Sequence, residues 1–422
     1  MLQRGRLSPI FTVMMVSETN YEAVVAGLGP AGLAAAMGLT VAGLKVVAIG
    51  RAGRFDEASE ARTVALMLPS LRFLGHLGVW PERLAGVSAP LKRLRIVDET
   101  ASLFGGGETV FEASELGEEA FGWNIPLHAL VPALRQRAEE LGVVLIADDI
   151  AGAEIGSDSV RILRTGGPSL AAPVAIAADG RQSRLRAAAG IAVKEKTYPQ
   201  AALATSFDHS GPHRSMSSEY HRPGGPLTTV PLPGNRSGLV WMDAPGRIAA
   251  LAAMDEAAFC HELQAATHGD LGRIGACGVR QTFAMKAMRA VAMARRRVML
   301  VGEAAHVFPP IGAQGLNMSM RDGATAAELI GDACRRGMDA GGEAVIAAYD
   351  AARRRDTGPR IGVIDTVNRS LLAGVSLIDE LRALGLNLVA AIPYLRRRVM
   401  RAGLAETAFL PRSMRDTKGT GV

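Results

Sequence analysis

Ala23-Val24-Val25-Ala26 is a short apolar run that passes directly into Gly27-Leu28-Gly29-Pro30-Ala31-Gly32, then into LAAAMGLTVAGL and a second apolar run at 45–49. A strand, glycine turn, helix and strand within about 30 residues make the βαβ unit that a G-x-G-x-x-G motif requires. The first glycine permits a tight turn, the second lets backbone approach a pyrophosphate, and the third lets the helix sit close to the strand. Unpaired N–H groups at the helix start then stabilise an anion. The spacing predicts a dinucleotide site rather than a purely structural turn. The acid expected about 20 positions further on to hold a ribose is missing. Gly50-Arg51 end the second strand, and the first acid after Gly32 is Asp56. An arginine here suits a 2′-phosphate, so an NADP-dependent dehydrogenase stays open at this point.

The chain has 422 residues, 48% of them apolar and 21% charged, enough for two or three domains with a large core. This composition excludes disordered, collagen-like and disulfide-scaffold classes. Cys260, Cys277 and Cys334 are far apart with no C-x-x-C pair, which fits a reducing compartment and no metal site. From residue 351 onward 13 Lys/Arg face 6 Asp/Glu, so the net charge of +6 belongs to the tail, around Arg396-Arg397-Arg398 and Arg401. Without a broad basic face or interleaved aromatics, nucleic acid is not an expected partner. No run reaches the roughly 18 apolar residues of a spanning helix. The nearest, 375–395, is broken by Asp379, Glu380 and Arg382, and the patch at 10–16 lacks a signal-peptide cleavage site. Residues 1–20 read as a flexible tail, and the expected location is the cytoplasm, at most on the inner face of a membrane.

Two later segments bear on the missing acid. An apolar strand at 175–178 ends in Asp179-Gly180, and the strand from Arg297 runs into Gly302-Glu303-Ala-Ala-His306 and then FPPIGAQGLNMSMRDGATAAELI. An acid at a strand end accepts a hydrogen bond from a ribitol or ribose hydroxyl. The loop 309–315 presents backbone N–H groups at a helix start, where negative charge is stabilised. A reduced flavin carries such charge at its N1–C2 edge. In order and spacing, the set resembles the FAD-dependent aromatic hydroxylases of the para-hydroxybenzoate hydroxylase type. It is most similar to the ubiquinone-biosynthesis hydroxylases, through Ala61-Arg62-Thr63-Val64-Ala65-Leu66, Tyr198-Pro199-Gln200, the stretch from Gly225-Pro226-Leu227-Thr228 to VPLPGNRSGLVW, and PPIGAQGLNMSMRD.

The resemblance implies an α/β fold with an α+β second layer: a Rossmann-like FAD-binding domain (21–92, 122–191 and 286–345), an inserted β-sheet substrate domain (93–121 and 192–285) and C-terminal helices (346–422). It implies FAD held by Gly27, Gly29, Gly32, Arg62, Asp179, Gly180, Gly302, Glu303, Pro309, Gly312, Gly315 and Asn317. NAD(P)H is the implied transient electron donor. The resemblance also implies that a polyprenyl phenol is hydroxylated with molecular oxygen through a flavin C4a-hydroperoxide, so that no protein nucleophile is needed. His306 and Pro309 are the candidates beside the flavin, and Gln200, Phe207, Tyr220 and Trp241 the candidates for the substrate pocket. Two departures stand out: Gly50 replaces the family's acid, and Glu303 its aspartate. The basic tail reads equally as a helix resting on anionic lipid beside other ubiquinone-biosynthesis proteins, or as a hairpin packed on the FAD domain. Alternatives are a hydroxylase of a soluble phenol, a halogenase suggested by Trp123-Asn-Ile-Pro126, and a non-catalytic scaffold of a quinone-synthesising complex.

Overall fold

A computed structural model describes residues 21–51, 53, 60–100, 107–310, 312–372, 392–403 and 410–416. The tail 1–20, Asp56 and most of 375–395 lie outside the described residues. The first core is a six-stranded sheet. Five strands run parallel in the order Val298–Leu300, Val174–Ala177, Ala23–Ala26, Val46–Gly50 and Val144–Ala147, and Ala294–Arg295 is an antiparallel edge. The strands Ala23–Ala26, Val46–Gly50 and Val174–Ala177 are buried along their whole length. That explains their unbroken apolar sequence, because helices cover both faces of a parallel sheet. Helix Pro30–Val41 is buried from Gly32 to Leu39 and packs along the long helix Gln314–Arg335.

The second layer is a nine-stranded mixed sheet built around the strand Val193–His209, which pairs antiparallel with Arg236–Asp243 on one side and Gln281–Ala290 on the other. Arg93–Asp98 and Glu108–Glu112 join its far edge. The sheet continues past residue 285 to Ala290 and takes in His306–Val307, so one long strand pair ties the two layers together. Helices Pro245–Ala253 and Glu256–Ala266 lie over one face of this sheet and bury Leu203, Phe207, Tyr220, Leu239 and Trp241 beneath them. Helix Glu343–Leu372 begins the C-terminal part, and Pro393–Gly403 packs back onto the sheet edge through Arg396, bidentate to Glu115 at 2.6 and 2.7 Å. No helix among the described residues is long and apolar enough to cross a membrane.

Candidate functional site

A cavity of about 500 Å³ lies where the two layers meet, with the starts of the two long helices on one side and the nine-stranded sheet on the other. The glycine turn forms one end. Gly27 has φ +124°, and a Cβ there would stand 2.1 Å from the Ala178 carbonyl oxygen; at Gly32 it would stand 2.1 Å from the Gly27 carbonyl oxygen. Both glycines therefore allow backbone to touch backbone. Gly29 is different: a Cβ there meets nothing within 4 Å, so its open side faces the cavity. Helices Pro30–Val41 and Gln314–Arg335 have no side-chain cap at their N-termini, and Gly29, Gly32 and Gly315 line the cavity. Two uncapped helix starts make that end electropositive and suited to an anion.

Asp179 sits behind this cradle. Its Oδ2 accepts from the Arg184 and Leu185 N–H groups at 2.7 and 3.3 Å, while its Oδ1 is buried and finds no partner among the described residues. Asp179 itself stands just outside the cavity lining, between Ala178 and Gly180, which line it. Gly180 and Glu303 reach the cavity itself. Glu303 is about half exposed and lies 3.3 Å from Arg181. Arg62 also lines the cavity and is held by Glu60, with its Nε 2.7 Å from the carboxylate. That hydrogen bond keeps the guanidinium charged beyond its ordinary range, despite partial burial. At Gly50 a Cβ would stand 3.0 Å from the Leu28 nitrogen, and the neighbouring Arg51 pairs with Asp149 on the next strand's exit.

The remaining predicted residues hold the cradle from behind. Asn317 is buried, and its four hydrogen-bonding positions are taken. Oδ1 accepts from the Met67 N–H and the Ser70 hydroxyl, and Nδ2 donates to the carbonyls of Ala65 and Ala313. Its side chain thus joins strand Thr63–Met67 to the helix start instead of facing a ligand. Pro309 is buried while Pro310 lines the cavity, and Gly312 is exposed outside the lining. Gly302 has φ +64°, and its N–H donates to Asp322 Oδ2 at 3.0 Å. His306 lines the cavity, stacks on Phe308 and bonds through Nε2 to the same Asp322 oxygen at 2.7 Å.

Asp322, expected from the sequence to be a structural acid of its helix, is fully buried and reaches beyond that helix. Its Oδ1 accepts from Arg353 Nε at 2.6 Å; Arg353 also bonds Asp356, which is chelated by Arg321 at 2.7 Å on both oxygens. Burial raises the cost of charge on Asp356, but Arg353, Arg321 and Arg360 outweigh it and bring its pKa down to about 2. A carboxyl whose folded pKa lies below its unfolded value stabilises the fold above pH about 4 and loses that contribution as pH falls toward 2. Urea unfolding followed between pH 5 and 2.5 is therefore expected to show a steep acid loss. For Asp356→Asn the loss should be shallower by about 2 kcal/mol.

The wall opposite the cradle corrects the choice of pocket residues. Phe207, Tyr220 and Trp241 do not line the cavity; they lie on the other sheet face, in the core beneath the two covering helices. The alternation of strand Val193–His209 sends Leu203 and Phe207 to that core and the small Ala202 and Ala204 to the cavity. Gln200 is buried outside the lining as well, with its amide donating to the Gly224 carbonyl at 2.6 Å. The cavity wall is instead Val240, Phe283, Met285 and Phe308. Trp123 pairs across to strand Thr63–Met67 and packs on Trp80 at 5.1 Å, outside the cavity.

The family model described as "FAD binding domain" matches residues 20–357. The chain belongs to that FAD-binding family. It is a flavoprotein of the monooxygenase class, and FAD is its cofactor. The ubiquinone hydroxylase UbiL of Rhodospirillum rubrum is 30% identical over 408 residues, 94% of this chain and 92% of that one. The 3-demethoxyubiquinol 3-hydroxylase of Escherichia coli is 27% identical over 91% of this chain and 98% of its own length. Among solved structures, p-nitrophenol 4-monooxygenase PnpA of Pseudomonas putida shares the fold. Its TM-score is 0.72 at 18% identity, covering 92% of this chain and 99% of that one. The open side of Gly29 and the two helix starts fit the family's cofactor.

Proposed function

We propose that this protein hydroxylates the aromatic ring of a polyprenyl phenol in ubiquinone biosynthesis, using FAD, molecular oxygen and NAD(P)H as a transient electron donor. The observation that carries the reading is that one cavity joins a glycine cradle with two helix starts to an apolar wall. The names of the two relatives support the substrate class. FAD, when bound, supplies the oxygen activation and hydroxyl transfer. The chain contributes the rest. Gly29, Gly32 and their helix start receive the pyrophosphate, with Arg62 adding charge on the rim. Asp179 and Glu303 accept from cofactor hydroxyls, and the one extra methylene of Glu303 is tolerated because its side chain is about half exposed. The start of helix Gln314–Arg335 favours negative charge at the ring edge. Phe283, Met285, Phe308 and Val240 hold an apolar ring and keep water out.

Purified holoprotein given a prenylated phenol, NADPH and ¹⁸O₂ is expected to yield a product carrying one ¹⁸O atom. Turnover of unprenylated soluble phenols alone would overturn the substrate assignment.

We also assign the exposed side of helix Pro393–Gly403 to peripheral contact with the inner membrane face. Arg396 is spent on Glu115, but Arg397, Arg398 and Arg401 are exposed beside Tyr394 and Val399, with Tyr394 74% exposed. A cationic surface carrying apolar side chains suits an anionic lipid layer. The affinity for phosphatidylglycerol vesicles measured by sedimentation at low salt should fall by on the order of 100-fold or more when the three arginines become glutamates. Equal binding by the variant would place the lipid contact elsewhere.

A further inference from the structure

Cys260 and Cys277, 17 positions apart, meet on the side of the sheet away from the cavity, with their sulfurs 3.5 Å from each other. Cys260 stands on helix Glu256–Ala266 and Cys277 ends strand Ile274–Cys277; both are half-buried free thiols. The two elements are braced on either side of the pair. Glu256 Oε1 accepts from the Cys277 N–H at 3.0 Å, and Gln264 Oε1 accepts from the Ile274 N–H at 3.2 Å. Both thiols also lean on one acceptor, the Gly275 carbonyl, at 3.0 Å from Cys260 and 3.7 Å from Cys277. A disulfide needs its sulfurs at about 2.05 Å, so closure requires about 1.5 Å of movement, within reach of side-chain rotation.

We propose that Cys260 and Cys277 form a reversible dithiol–disulfide couple closed by hydrogen peroxide. The Cys260 sulfur attacks the peroxide, whose O–O bond breaks. One oxygen leaves as water, and the sulfur, oxidised by two electrons, keeps the other as a sulfenic acid. Cys277 then attacks that sulfur. The S–S bond forms, the S–O bond breaks, and a second water leaves with the Cys277 proton. In sum, two thiols and one peroxide give one disulfide and two waters. Burial and the neighbouring Cys260 thiol hold Cys277 protonated beyond the ordinary thiol range, so Cys260 is the first target, and Cys277 attacks in the second step as its proton passes to the departing hydroxyl. A reduced flavin that meets oxygen without transferring it releases hydrogen peroxide, so a flavoprotein carries its own source of the oxidant. Closure would fasten the covering helix to the strand that pairs with Phe207.

The test is peroxide titration of the purified holoprotein with counting of free thiols. The expected fall is from three thiols per chain to one, with the chain monomeric on non-reducing gels. The expected peptide pair carries 260 joined to 277, and dithiothreitol restores all three thiols. Cys334 lies on helix Gln314–Arg335 and remains titratable. In Cys277→Ser, Cys260 should be trapped as a sulfenic acid by dimedone, with no cross-link. Three surviving thiols, preferential loss of Cys334, cross-links between chains, or over-oxidation of Cys260 without a disulfide would each overturn the couple. None of these readouts depends on turnover, so they stand or fall apart from the substrate assignment.

Discussion

Replacing Gly29 with valine is expected to leave the fold intact and to weaken FAD binding by on the order of 100-fold, about 2.7 kcal/mol. The backbone at Gly29 is extended, with φ −79° and ψ 176°, so a β-branched residue fits it locally. Nothing of the protein lies within 4 Å of the added carbon, so the new side chain points into the space the cofactor's pyrophosphate needs. Gly27→Ala is the contrasting variant. Its methyl would stand 2.1 Å from the Ala178 carbonyl oxygen on the adjacent strand, at a φ that L side chains avoid. That variant should lose stability by 3 kcal/mol or more, on the order of the overpacking and strain costs combined. Flavin fluorescence titration of the apoproteins, alongside urea unfolding, separates the two effects. Normal FAD affinity in Gly29→Val would mean that the pyrophosphate does not pass over this turn, and the cradle assignment would fall with it.

The second large effect is expected at Arg353, far from the cavity in sequence and fully buried. Arg353→Met removes the charge that faces both Asp322 and Asp356 and leaves two carboxylates short of compensation. Breaking one partner of a buried ion pair costs about 3–5 kcal/mol, because the remaining charge keeps its desolvation penalty. Arg353→Lys should recover only part, since an ammonium cannot bridge two carboxylates with the geometry of a guanidinium fork. The consequence reaches the cavity, because Asp322 also fixes the Gly302 N–H and His306. FAD retention through gel filtration should therefore fall together with unfolding stability. A cost below about 1 kcal/mol would show that Asp322 takes up a proton once Arg353 is gone, and that its charge is not needed to hold the loop.

The glycine end of the cavity was readable in the sequence because it is local. A strand, a glycine turn and a helix start lie within one stretch, and each glycine answers a constraint set by its immediate neighbours. Asp179-Gly180 and Gly302-Glu303 were readable for the same reason, as acids placed where apolar strands end. The substrate end was not. Period-two alternation divides strand Val193–His209 into two faces, but nothing in the strand says which face a helix covers and which a ligand meets. Helices Pro245–Ala253 and Glu256–Ala266 take the aromatic face, so Phe207, Tyr220 and Trp241 became core and the alanines became the wall.

The sequence by itself determined the βαβ unit, the family and where the strand-end acids fall. These follow from backbone sterics and helix-end electrostatics over a few residues. Only the tertiary structure decided that Asp322 holds His306 and the Gly302 loop, and that Arg353 and Asp356 complete the buried network. It alone brought Cys260 to Cys277 and turned the small side of the sheet toward the flavin cradle. Those pairings join residues on separate elements, and a buried charge or an open cavity is defined by what packs around it, which no local pattern encodes.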